Sequence, residues 1–360
     1  MTDFLIGLSE EDATFLMRII IGFVVCLGAI IGSFLNVCIY RIPMNQSVSR
    51  PRSHCFSCGK TILWYHNIPV LTWFILRGKC ANCKAPISFR YPAIEAFTAI
   101  LFLAVFQMWG NPGLFGLNTL SIPELIPFFW LFVASTVVNV MIDIDHRILL
   151  DRISIGGTLL TFVVAVAFPA LHGSDVWYDG LLRSFCGALT GFGVGFVIAF
   201  LGERIFLQDA FGFGDVKWMM LFGALFGITA LFWILLLSSF LGLLMGGGVL
   251  IYNRFKGYSD EQAVAIPFGP ALGVTALAWL FWSNRMMRGF ASVRDWVLLH
   301  DDLFMMTFIP LLLLMSGWLV FRIRRIRHYN REMMAMDEAE TSLMPISDSE
   351  PTNENAHEHD

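Results

Sequence analysis

Two aspartates hold the chemistry that this sequence offers most plainly. Asp143 ends a long apolar stretch in NVMIDIDHR, and Asp215 opens another in FGFGDVKWMM. A carboxylate beside hydrocarbon is costly unless it is hydrated, paired or used, which makes each a functional candidate. Two at one membrane level can share a proton. The ionised member then activates water while the neutral one polarises a carbonyl, the chemistry of peptide hydrolysis. Gly212 and Gly214 permit close backbone approach, and Pro267, Gly269 and Pro270 in IPFGP stiffen a turn at the head of a further apolar segment. Taken singly, these are also what a solvated helix end or a helix-start turn looks like. Asp145 lies two positions past Asp143 and would diverge from it by about 200° on a helix. Asp151 is expected to cap the following helix. Glu95 is expected either to pair with Arg90 or to belong to a second site.

Four of the seven cysteines form a second constellation. Cys55-Phe-Ser-Cys58 and Cys80-Ala-Asn-Cys83 are separated by 21 residues, a spacing that can bring four thiolates to one Zn2+. A site closed by four sulfurs is structural, and it would replace the core that so short a segment cannot build. Disulfides or redox pairs are the alternatives, and a cytosolic location disfavours stable disulfides. Cys26, Cys38 and Cys186 read as ordinary buried small residues inside apolar segments.

The elements that must position these groups are membrane helices. Of the 360 residues, 56% are hydrophobic and 14% charged. The fold class is all-α and polytopic, with about nine transmembrane helices and a small zinc-binding loop domain between the first two. Spans of about 20 apolar residues are read near 19–40, 91–109, 123–142, 153–171, 180–201, 217–233, 234–252, 266–283 and 303–321. Residues 217–252 either turn between Gly227 and Ala230 or form one long helix. No cleavable signal peptide is evident. Residues 1–18 form an extracytoplasmic N-terminal segment in which 3–18 could lie as a surface helix capped by Ser9. Loop 41–90 carries eight Lys/Arg and no Asp or Glu, which places it in the cytoplasm and both aspartates at the cytosolic face. Residues 91–283 form the transmembrane core, 284–302 an extracytoplasmic loop, 303–321 an extra helix, and 322–360 a cytosolic tail, basic then acidic and disordered. Residues 332–360 hold nine of the 28 acidic residues and no Lys or Arg. No internal repeat stands out, and the basic stretches carry no nucleic-acid-reading motif.

Seven ordered motifs then resemble one family. They are GSFLNVCIYRIP at 32–43, the paired CxxC knuckles, NIPVLTWFILRGKC at 67–80, RYPAIE at 90–95, MIDIDHRILLD at 141–151, FGFGDVK at 211–217 and AIPFGPALG at 265–273. The chain resembles the type IV prepilin peptidases, bifunctional leader peptidases and N-methyltransferases of the bacterial inner membrane, of the GxGD aspartic type. The resemblance implies that Asp143 and Asp215 are the catalytic pair. It also implies that prepilins or pseudopilins of type IV pilus or type II secretion systems are the substrates, and that the new N-terminus is methylated from S-adenosylmethionine. No glycine-rich cofactor motif supports that last step independently; Arg41 and Glu95 are the candidate residues for it. The chain departs from the family at Leu150, where a proline is frequent, and outside about 30–283. Two other classes compete. A transporter would place carboxylates near the midplane within inverted repeats, and a scaffold would recruit partners through the cysteine loop and tolerate loss of both aspartates.

Overall fold

The computed structural model describes residues 9–110, 117–119, 122–206, 211–256, 267–299 and 324–325. The architecture is helical: α1 Glu10–Arg41, α2 Leu71–Ile75, α3 Arg90–Gly110, α4 Ile126–His146, α5 Asp151–Ala167, α6 Trp177–Phe206, α7 Phe213–Lys256 and α8 Gly269–Leu299. No strand occurs among the described residues, only two isolated β-bridges. The chain divides into two units, Met1–Phe200 with Phe211–Asp295, and Leu201–Ala210 with Trp296–Asp360. The first contains every candidate site residue.

Ser9 caps α1, its hydroxyl accepting the Asp12 N–H at 3.2 Å. No glycine or proline interrupts residues 10–21, so the part of the expected 3–18 surface helix from Glu10 onward runs on into the first apolar helix, while residues 3–8 lie outside the described residues. Among the described residues, five helices are long and apolar enough to cross a membrane: Glu11–Arg41, Arg90–Gly110, Pro123–His146, Trp177–Arg204 and Phe213–Val249. The expected span 303–321 and the tail lie outside the described residues. Helix α7 is a single 44-residue element whose helical geometry breaks at Gly227, with φ 80° and ψ 179°. Only glycine adopts that backbone without strain. Cys38 is buried as expected, whereas Cys26 and Cys186 are exposed, because α1 and α6 turn much of their circumference outward.

Glycine sets how closely the helices pack. A Cβ at Gly28 would stand 2.7 Å from Ala99 Cα, and one at Gly32 2.7 Å from Glu95 Cα; α1 therefore lies backbone-close on α3. Helix α6 meets α7 through Gly187, Gly191 and Gly195, one helical turn apart, which face Gly223, Met219 and Val216. This is the small-residue spacing that lets membrane helices approach. Ser184 Oγ donates to the Ala224 carbonyl at 2.9 Å in the same seam. Replacing Gly191 by Leu should force a side chain into the Met219 carbonyl and cost about 1–3 kcal/mol. The detergent-solubilised protein should melt several degrees lower, while Gly193→Leu, which faces open space, should leave the melting temperature unchanged. Equal melting of the two variants would contradict the seam.

Candidate active site and cysteine cluster

The end of α4 and the starts of α7 and α8 converge. Asp143 and Asp215 are only 6% and 8% exposed, and the field of Asp143 reaches Asp215. Asp143 accepts a hydrogen bond from the backbone N–H of Gly269, the first residue of α8. Helix N-termini present unpaired N–H groups and a positive dipole end, so a carboxylate from another helix is well placed there. A Cβ at Gly269 would overlap Asp143 Oδ2; glycine is what permits the contact. Asp215 holds the third position of α7 and accepts from the Gly212 N–H, while its own N–H donates to the Gly212 carbonyl at 3.0 Å. That is the N3 half of a capping box, the other half being absent because Gly212 has no side chain. Asp215 Oδ1 is buried and accepts no hydrogen bond from the described residues.

Leu149 joins the two glycine segments. Its Cβ would lie 3.0 Å from a Cβ at Gly214, and its Cδ2 3.4 Å from one at Gly269. The Leu150 N–H donates to Asn139 Oδ1 at 3.2 Å, a bond that a proline at this position would lack. Pro270 is buried and Pro267 half-buried at the head of α8. The structure thus gathers Asp143, Asp215, Gly212, Gly214 and Gly269 in one place, with IPFGP forming one wall.

Asp151 and Arg90 depart from expectation, whereas Asp145 turns away from Asp143 as expected. Asp151 does not cap α5: Leu150 is the cap, and the Asp151 carboxylate turns to Lys217 Nζ, 2.8 Å from both oxygens. Asp145 is neither free nor aimed at the pair but is held in two bonds by Arg90, at 2.6 and 2.8 Å. Arg90 is therefore not the partner of Glu95, which lies five residues, about 140°, further round α3. Residues that the sequence reading passed over include Asn139 and Trp218, one turn from Asp143 and Asp215 respectively. Both are fully buried, and Asn139 Nδ2 and Trp218 Nε1 find no acceptor among the described residues.

The two candidates for cofactor binding are occupied by the loop. Arg41 donates to the carbonyls of Ser47 at 3.0 Å and Pro51 at 2.8 Å. Glu95 accepts the Val70 N–H at 2.7 Å and a bond from Ser33. The loop thus engages Arg41 through Nη1 and Nη2 and Glu95 through Oε2. A separate cavity of about 820 Å³ lies between the start of α4, the start of α6, the Gly227 break and the middle of α8. None of the candidate residues lines it.

Between α1 and α3 the chain folds around its cysteines. The Sγ atoms of Cys55, Cys58, Cys80 and Cys83 lie within 4.8 Å of one another, and those of Cys55 and Cys83 are 3.7 Å apart. Four thiolates about 2.3 Å from one Zn2+ in a tetrahedron stand roughly 3.8 Å apart, so the cluster can hold a metal ion and suits structural zinc. The backbone N–H groups of Cys58 and Ser57 draw the Cys55 thiol pKa down to about 6, whereas, against the Ala85 N–H, burial and the neighbouring thiols push that of Cys83 up to about 11; a bound cation would favour the thiolate at all four. The two knuckles are copies offset by 25 residues. Cys55 N–H bonds the Lys60 carbonyl at 3.0 Å and Cys80 N–H the Ala85 carbonyl at 2.8 Å. The bridges His54–Thr61 and Lys79–Pro86 repeat the offset, and Gly59 and Lys84 both take left-handed backbone, at φ 68° and 61°. This is a local repeat that the sequence reading did not find.

Two family models match the chain: a bacterial peptidase A24 N-terminal domain over residues 26–109 and the type IV leader peptidase family over 126–247. A prepilin leader peptidase/N-methyltransferase of Myxococcus xanthus is 36% identical over 259 residues, 72% of this chain and 71% of that protein. Proteins of the same name from Pseudomonas putida and Aeromonas hydrophila are 30% and 32% identical, covering 73% of this chain and 93% and 90% of theirs. No solved structure matches. With both family models matched in order and its relatives covered over most of their length, the chain belongs to the type IV leader peptidase family.

Proposed function

We propose that this protein is an aspartic endopeptidase of the bacterial inner membrane that removes the short basic leader of type IV prepilins or pseudopilins at the cytosolic face. N-methylation of the new N-terminus from S-adenosylmethionine is proposed with it, on the names that its relatives bear. The observation that supports the cleavage most is the placing of two buried carboxylates at two helix N-termini. The Asp143 carboxylate is oriented by the Gly269 N–H, and Asp215 Oδ1 has no hydrogen-bond partner among the described residues. One aspartate takes a proton from the attacking water. The other donates a hydrogen bond to the scissile carbonyl and then a proton to the leaving amine. The supporting topology is about nine crossings, with an extracytoplasmic N-terminus and the basic cysteine loop in the cytosol. The Gly227 break divides residues 217–252 in that scheme. Cys55, Cys58, Cys80 and Cys83 would hold one Zn2+, whose chemistry there is structural: it cross-links the two knuckles.

Asp143→Asn and Asp215→Asn should each lower cleavage of a co-expressed prepilin by about 100-fold or more, with expression and membrane insertion unchanged. Combining them should add little, since members of one catalytic unit are not additive. Asp145→Asn breaks a surface ion pair worth about 0.2–1 kcal/mol and should keep most activity. Substrate mass gives the reading, leader loss for cleavage and one further methylene for methylation. Appreciable turnover by either dyad variant would sink the assignment. Gly269→Ala should also abolish cleavage while the protein still inserts, because the methyl displaces Asp143; wild-type turnover would show that the α8 contact is dispensable. Purified protein should contain near one zinc per chain. Cys55→Ser with Cys58→Ser should remove the metal and open loop 41–90 to proteases, and full metal retention in that variant would refute the four-sulfur site.

A further inference from the structure

The cysteine-rich segment turns apolar side chains outward where a small folded unit would hide them. Trp64 is 81% and Ile75 76% exposed, and Tyr65, Leu71 and Phe74 are exposed beside them in sequence. Leu71, Phe74 and Ile75 occupy positions i, i+3 and i+4 of α2 and so share one face. Trp73 turns the other way, its Nε1 donating to the Ile87 carbonyl at 3.0 Å and its ring lying 5.3 Å from Phe89. The outward face is thus a fixed feature of a folded turn. An exposed apolar patch of this kind marks an interaction site.

Depth identifies the occupant. Val70, the residue before α2, gives its N–H to Glu95, which lies five residues inside α3. At 1.5 Å per residue this sets the start of α2 about 7 Å past Arg90 toward the interior of an apolar helix. Val70 makes that contact in a tight three-residue turn, at φ 61° and ψ −57° with the Leu71 N–H on the Pro69 carbonyl at 2.6 Å. The segment is anchored at both ends to helices long enough to cross a membrane. Charge points the same way. Of the eight cations in 41–90, Arg41 is buried and Arg90 is paired, while Arg50, Arg52, Lys60, Arg77, Lys79 and Lys84 are exposed. None of these six forms an ion pair among the described residues, and no acidic residue lies in the segment. Basic residues around aromatic and aliphatic ones are the composition of a surface that lies in the headgroup region of an anionic membrane.

We infer that the face formed by Trp64, Tyr65, Leu71, Phe74 and Ile75 is seated in the interface of the same membrane that the helices span, held there by anionic phospholipid headgroups on the surrounding lysines and arginines. The cysteine-rich segment is then a membrane-resting platform. This inference is independent of leader cleavage. The test uses the full chain with the photoreactive residue p-benzoylphenylalanine in place of Trp64 or of Ile75. The protein is reconstituted either in phosphatidylcholine or in equal parts phosphatidylcholine and phosphatidylglycerol. Illumination should add one phospholipid mass at both positions, with severalfold higher yield in the anionic vesicles. Changing Arg52, Lys60 and Arg77 together to Gln should bring the two yields level while bound zinc stays at the parent value, showing that the segment remains folded. Absence of lipid adducts in both vesicles, cross-links to protein in their place, or yields indifferent to lipid charge would overturn the inference.

Discussion

The site depends on backbone meeting carboxylate without a Cβ between them. Asp143 closes α4 and reaches the first N–H of α8, and only glycine at 269 leaves room for its oxygen. Asp215 reaches back to Gly212 at the start of its own helix. Each carboxylate therefore draws on the positive end of a helix, which offsets part of the cost of burying negative charge. The same contacts orient the oxygens before substrate arrives. The wider packing serves this convergence: Gly273 lets α8 approach Val140 and Trp218, and Leu149 spans the gap between the two glycine segments. The glycines of α6 hold α7 at its N-terminal half, where Asp215 is carried.

The cysteine-rich segment is bound into this frame at two points. Glu95 takes the Val70 N–H, and Arg90, seven residues beyond Cys83, grips Asp145 in the last turn of α4. Asp145 and Asp143 share that turn but not a face. The pair thus connects the end of the cysteine-rich segment to the helix end that carries Asp143. An exposed ion pair contributes little stability, so its value is orientation of the α4 terminus. Lys217 with Asp151 does the corresponding work between α7 and α5.

Much of this was legible in the sequence, for physical reasons that differ by residue. Asp143 and Asp215 stood out because carboxylates are rare beside apolar runs, and Gly212 and Gly214 because they flank one of them. The cysteines stood out because their spacing is independent of tertiary context, and Ser9 because a cap is decided within one turn. What failed was partner choice. Arg90 and Asp151 open their helices, where several partners are sterically open, and Glu95 lies about a turn and a half inside α3; helix rotation that the sequence does not display made the selection. The 25-residue offset between the knuckles was present in the cysteine positions. It was hidden because Gly59 and Lys84, Lys60 and Ala85, and Thr61 and Pro86 fill matching places with unlike side chains, while the match lies in backbone hydrogen bonds.

The left-handed backbone at Lys84 makes the same point about where specificity resides. At Gly59 the conformation is free of strain, whereas at Lys84 a side chain adopts it at some cost. Two hairpins with unlike residues nevertheless reach one geometry, each turn placing its own pair of sulfurs so that all four lie within 4.8 Å of one another. A metal at that point can offset local strain that a segment without a core could not carry. Val70 is held likewise, a β-branched residue in a left-handed turn whose N–H is taken by a buried carboxylate. In both places the unfavourable backbone is stabilised by a group outside the turn: the sulfur cluster in one, Glu95 of α3 in the other. The shape of the cysteine segment therefore depends on the membrane helices as well as on its own cross-link.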